Sequence, residues 1–163
     1  CGPMTSDQAL SLLKHANAVA RRVTAEGHHP FGAVLVDADG ETVLLEQGNV
    51  STVEHAESLL ARTAAARFTP ERLWQCTLVT TVEPCAMCIG AIILARIDRI
   101  VFGAKDPKAG ACGSLFDIPT EPKLNHQVLV TGGILEQESQ YLLQSFFKQL
   151  RENSPMTHSR SAQ

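Results

Sequence analysis

The stretch CTLVTTVEPCAMCIGAIILARIDRIVFG, residues 76–103, decides the fold. Residues 76–80 are a short run of apolar and β-branched side chains, which reads as a buried strand. Residues 86–96 are nearly all apolar, and their length and small side chains type them as a buried helix. Residues 99–103, RIVFG, read as the next strand. Upstream, Ala9, Leu10, Leu12, Leu13, Ala16, Val19, Ala20 and Val23 recur at helical spacing. Thr5, Ser6 and Asp7 offer N-caps for that helix, and Gly27 stops it. Residues 32–36 and 42–45 flank Asp37-Ala38-Asp39-Gly40, a β-hairpin pattern. Residues 55–67 read as a helix, with Pro70 in the following turn. Residues 104–123 form a long Gly-, Pro-, Asp- and Lys-containing loop, 128–130 a last strand, and 136–151 a terminal amphipathic helix.

This order implies an α/β fold in one domain over residues 1–163: a three-layer α/β/α sandwich around a mixed five-stranded sheet. The sheet is mixed because it begins with a hairpin. Met4 reads as the native start, Cys1 to Pro3 as a remnant of cloning, and residues 153–163 as a flexible tail. No apolar run approaches the roughly 20 residues needed to span a bilayer, so a membrane is excluded and the cytoplasm is the expected compartment. Cysteines there are free, metal-bound or catalytic more often than disulfide-paired. The formal charge of −3 gives no support to a partner held by phosphate contacts.

Two segments carry chemistry: His55-Ala56-Glu57 and Pro84-Cys85-Ala86-Met87-Cys88, each at a helix start. Two cysteines three apart in a first helical turn face one point, where free N–H groups lower the thiol pKa. With His55 they make three zinc ligands and leave a fourth position for water, the catalytic pattern rather than the closed structural one. Glu57 need not be a ligand; beside such a water a carboxylate takes a proton and returns it to a leaving group. A lone C-x-x-C would read as a redox pair, and a lone histidine as a packed one. Together, H-x-E and P-C-x-x-C are the signature of zinc deaminases acting on cytosine or adenine rings.

On these motifs the chain resembles the cytidine deaminase-like superfamily, in the branch of bacterial tRNA adenosine deaminases and guanine or cytosine deaminases. Pro30-Phe31-Gly32-Ala33-Val34 is similar to the free-base guanine deaminases. Residues 103–117, Asn125-His126 and residues 146–151 are similar to the tRNA-editing branch. The resemblance implies one Zn2+ per subunit on His55, Cys85 and Cys88, with Glu57 as the proton shuttle. It further implies that Asn49 binds the substrate ring and Phe31 stacks on it, with the backbone of Ala56 and Glu83 holding the ring and departing amine. It also implies a homodimer with the helix after the cysteines at the interface. Only five residues separate Asn49 from His55, fewer than in the relatives, and Glu54 beside the ligand would favour an amino-rich ring if it faced the pocket.

The expected function is therefore a zinc-dependent hydrolytic deaminase of a free purine-like nucleobase or nucleoside, guanine deaminase-like, with a small amino heterocycle as partner. The alternative is a tRNA-specific adenosine deaminase converting adenosine to inosine at the anticodon wobble position. A third reading, of another class, is a non-catalytic binding module stabilised by zinc; the presence of Glu57 speaks against it.

Overall fold

The structure, a computed structural model, describes residues 4–153, so Cys1 to Pro3 and residues 154–163 of the expected tail lie outside the described residues. Helix α1 (Ser6–Ala25) starts on a capping box in which Thr5 and Gln8 satisfy each other's backbone N–H groups. Strands β1 (Gly32–Val36) and β2 (Val43–Gly48) form the hairpin. There follow α2 (Ala56–Arg67), a one-turn helix α3 (Pro70–Leu73), β3 (Thr77–Val82), α4 (Ala86–Leu94), β4 (Arg99–Ala104), β5 (Leu129–Thr131) and α5 (Glu136–Asn153). Helix α3 falls where the sequence suggests only a turn. Thr69 caps it and Pro70 occupies its first position, where a missing N–H costs nothing.

The sheet order is β2-β1-β3-β4-β5. Strand β1 runs antiparallel to β2 and β3, while β3, β4 and β5 are parallel, so the sheet is mixed as expected. Alternation along each strand divides the core in two. Val34, Val36, Val79 and Val101 pack with Leu12, Leu13, Ala16 and Val19 of α1. Ala33, Leu35, Leu78, Ile100 and Phe102 pack on the other face with Leu60 and Ala64 of α2 and Ile89 and Ile92 of α4. Residues on both faces are buried, which is why β1 reads as a continuous apolar run and β3 as a run of apolar and β-branched side chains.

The seat of α1 on β1 depends on Gly32. A Cβ there would lie 2.4 Å from the Ala16 carbonyl oxygen and 2.7 Å from the Ala20 nitrogen, both backbone. Gly32→Ala therefore forces the helix off the strand. Overpacking of this kind costs about 1–3 kcal/mol, which thermal melting would read as a drop of several degrees. An unchanged melting temperature would refute this close packing.

Candidate active site

Helices α2 and α4 begin at the same point. Their N-cap residues are His55 and Cys85, both in extended conformation and neither using its side chain to cap. The uncapped N–H groups and positive dipole ends of two helices are thus aimed where anionic sulfur gathers. His55 Nδ1 lies 3.6 Å from Cys85 Sγ and 3.5 Å from Cys88 Sγ, and the two sulfurs are 3.5 Å apart. Tetrahedral zinc, with nitrogen at about 2.0–2.1 Å and sulfur at about 2.3 Å, has edges of about 3.5–3.8 Å. The donor triangle therefore fits zinc, and His55, Cys85 and Cys88 are positioned to bind it.

The histidine is oriented from behind. Its Nε2 lies 2.7 Å from the Thr52 carbonyl oxygen, which accepts a hydrogen bond from Nε2–H and leaves Nδ1 with its lone pair toward the sulfurs. The Cys88 thiol donates to Cys85 and, with the Cys88 backbone N–H and His55, brings the Cys85 thiol down to about 5 despite partial burial. Cys88 is pushed the other way, first by donating to Cys85 and then by its burial.

A cleft of about 90 Å3 opens on these ligands, lined by Phe31, Asn49, His55, Glu57, Val82, Glu83, Cys85, Asp106 and Ala109. Glu57 is 5% exposed. Burial raises its pKa, opposed by the Thr80 hydroxyl that donates to Oε1. Asn49, 4% exposed, donates from Nδ2 to the Ser51 carbonyl oxygen at 3.2 Å. Its Oδ1 is buried without a hydrogen-bond partner among the described residues. A buried unmatched acceptor costs about 1–3 kcal/mol, so one at a cleft points to a donor on the ligand.

The expected site residues divide accordingly. His55, Cys85, Glu57, Asn49, Phe31 and Glu83 line the cleft, Cys88 is fully buried beside His55 and Cys85 in the donor triangle, and Ala56 is buried in the first turn of α2. Glu54 is not in the lining; it is exposed, and its carboxylate takes the Ser51 hydroxyl at 3.3 Å. The tight five-residue loop turns it outward, because the Glu54 carbonyl accepts the backbone N–H of Val50 at 3.0 Å. Sequence reasoning missed Thr80, the Thr52 carbonyl, Asp106 and Ala109. Only Thr80 left any signal, as one of three threonines in a strand buried along its whole length.

Residues 6–104 match the family model described as the cytidine and deoxycytidylate deaminase zinc-binding region. The chain belongs to this deaminase family. It is 39% identical over 153 residues to the tRNA-specific adenosine deaminase of Bacillus subtilis, covering 91% of this chain and 93% of the relative. It is 42% identical over 146 residues to that of Haemophilus influenzae, covering 86% and 84%. A solved structure from work on A-to-I editing by tRNA:A34 deaminases superposes with a TM-score of 0.73 at 37% identity, over 82% of this chain and 99% of that one. A guanine deaminase from Nitrosomonas europaea shares the fold, with a TM-score of 0.65 at 22% identity, over 84% and 83%.

The chain is thus a zinc-dependent hydrolytic deaminase with the mixed α/β sheet expected of it. The guanine deaminase-like reading, with a small free heterocycle as partner and tRNA in second place, is overturned by these relatives, which are named for tRNA. That reading leaned on the segment of residues 30–34 with Phe31, on the short loop between Asn49 and His55, and on a net charge of −3. An aromatic ring stacks equally on a free base and on one carried by a chain, and a summed charge does not describe one face of the surface.

Proposed function

We propose that this deaminase converts adenosine to inosine in tRNA, at the wobble position of the anticodon. The similarity to tRNA-specific adenosine deaminases over nearly their whole length carries the reading. The cleft supports it: the Asn49 acceptor and the Phe31 ring border a space narrow enough for one base turned out of its stack. Nucleotides on either side stay outside.

In this mechanism Phe31 stacks on the adenine, Asn49 fixes its edge, and the backbone of Ala56 and Glu83 holds the ring and the departing amine. Zinc on His55, Cys85 and Cys88 supplies the Lewis acidity that brings a water's pKa toward neutrality. Glu57 takes a proton from the attacking water and passes it to ring N1 while oxygen bonds to C6. Glu57 then carries the second proton to the exocyclic nitrogen, the C6–N6 bond breaks, and ammonia leaves. Burial suits Glu57 to both directions, because a raised pKa makes it a better base and leaves it an acid that still gives its proton up.

The enzyme acts as a homodimer in the cytoplasm, where its substrate is found. Met87 and Leu94 on α4 are 41% and 82% exposed, an apolar face that a second copy would cover. The test is an inosine assay on an anticodon stem-loop with adenosine at position 34, run beside ammonia release from guanine, adenine, cytosine and their nucleosides. Inosine formation in the RNA with negligible ammonia from the free compounds is expected. Turnover of a free base with none of the RNA would overturn the proposal.

A further inference from the structure

The most heavily bonded side chain at the cleft is one to which the mechanism gives no side-chain role. Glu83 directly follows β3 and is 3% exposed. Its Oε1 accepts the Asp106 backbone N–H at 3.2 Å and the Ser114 hydroxyl. Its Oε2 accepts the backbone N–H groups of Cys112 at 2.9 Å and Ser114 at 3.1 Å. One carboxylate thus gathers donors from both ends of residues 106–114. Between them, Gly110 pairs with Cys85, and the Ala111 N–H donates to the Pro84 carbonyl at 2.8 Å. A Cβ on Gly110 would lie 2.4 Å from the Glu83 carboxylate, so the segment is drawn down as close as a backbone comes. This same segment supplies Asp106 and Ala109 to the cleft wall facing Phe31 and Asn49.

We propose that the Glu83 carboxylate is a positioning residue for the substrate: it clamps residues 106–114 over the cleft and so sets how closely the wall fits the base. It acts through the wall, not through the metal. Its chemistry is also demanding. A glutamine has the same shape, but either orientation of its amide turns an NH2 toward a backbone N–H that cannot reverse, that of Asp106 on one side or those of Cys112 and Ser114 on the other. Aspartate is one methylene too short to reach both sets of donors.

The experiment compares wild type, Glu83→Gln, Ser114→Ala and Gly110→Ala, each loaded with zinc. It follows backbone amide exchange by mass spectrometry, metal content, and kcat and KM on the anticodon stem-loop. The kinetic arm rests on the proposed function. The exchange arm does not, so an inactive wild type would count against the function while leaving the clamp to be judged by exchange. For Glu83→Gln, faster exchange confined to residues 106–117 and a KM raised about tenfold or more are expected, with kcat held within about threefold and one zinc retained. Ser114→Ala, which removes one of the four donors, should lie between that and wild type. Gly110→Ala should raise KM as Glu83→Gln does, and carries the test if the latter fails to fold. Unchanged exchange and KM in a folded Glu83→Gln or Gly110→Ala would overturn the clamp, and so would loss of zinc with a fall in kcat alone.

Discussion

Glu57→Gln should bind one zinc per chain and turn over substrate about 10²–10⁴-fold more slowly than wild type, or worse. The substitution keeps the side chain's shape and still offers an oxygen to the Thr80 hydroxyl, so neither the start of α2 nor the ligand triangle has reason to move. What is lost is the ability to take a proton. A neutral amide cannot accept one from water, and in the proposed mechanism both proton transfers pass through this position. The general base is worth about 3–5 kcal/mol of barrier on this account. The check is single-turnover kinetics beside metal analysis of the same sample. A variant within a few-fold of wild type would remove Glu57 from the reaction, and one that lost its zinc would make it a support of the metal site instead.

Cys88→Ser is expected to abolish zinc retention and activity together. Cys88 is fully buried, and its sulfur is one corner of the donor triangle. A hydroxyl stays protonated and is a poor zinc ligand, which leaves two donors where three are needed. The folded state also loses whatever stability the metal lends. At a zinc concentration a thousandfold above its dissociation constant, that amounts to about 4 kcal/mol. For a chain of this size about 4 kcal/mol corresponds to roughly 8–16 °C in melting temperature. A chelator should lower the melting point of wild type by the same amount and leave Cys88→Ser unmoved. If the variant keeps stoichiometric metal, or if chelation leaves wild type as active and as stable as before, the site assignment is wrong.

Much of the fold was legible because the central strands β1, β3 and β4 are buried on both faces. That requirement made residues 32–36 a continuous apolar run and residues 76–80 a mix of apolar and β-branched side chains. Helix α4, by contrast, was expected to be buried, yet it buries only the face of Cys88, Ile89 and Ile92 and leaves Met87 and Leu94 exposed. The edges were less legible. Strand β2 extends to Gly48, past the four residues the pattern marked, because Glu46, Gln47 and Gly48 pair with β1 although none of them carries an apolar side chain. The metal ligands were legible because the spacings H-x-E and P-C-x-x-C are local, and each set opens its own helix. Asp106, Ala109 and the Thr52 carbonyl were not. Nothing in a residue's type announces that a loop folds back on a cleft, or that a backbone carbonyl stands behind a particular imidazole. Glu54 shows the converse: its place beside a ligand suggested the pocket, and the loop's own hydrogen bonds turned it to solvent.

By itself, then, the amino-acid order determined the chemistry: a histidine, two cysteines and a carboxylate whose spacing admits few uses other than activating water. It also determined the layering, since the alternation of apolar runs leaves one way to hide them. Only the tertiary structure decided how the two helix starts meet and how residues 106–114 close over them. Those outcomes depend on contacts between segments about 30 residues apart, where packing and one buried carboxylate choose among conformations that the local sequence leaves equal.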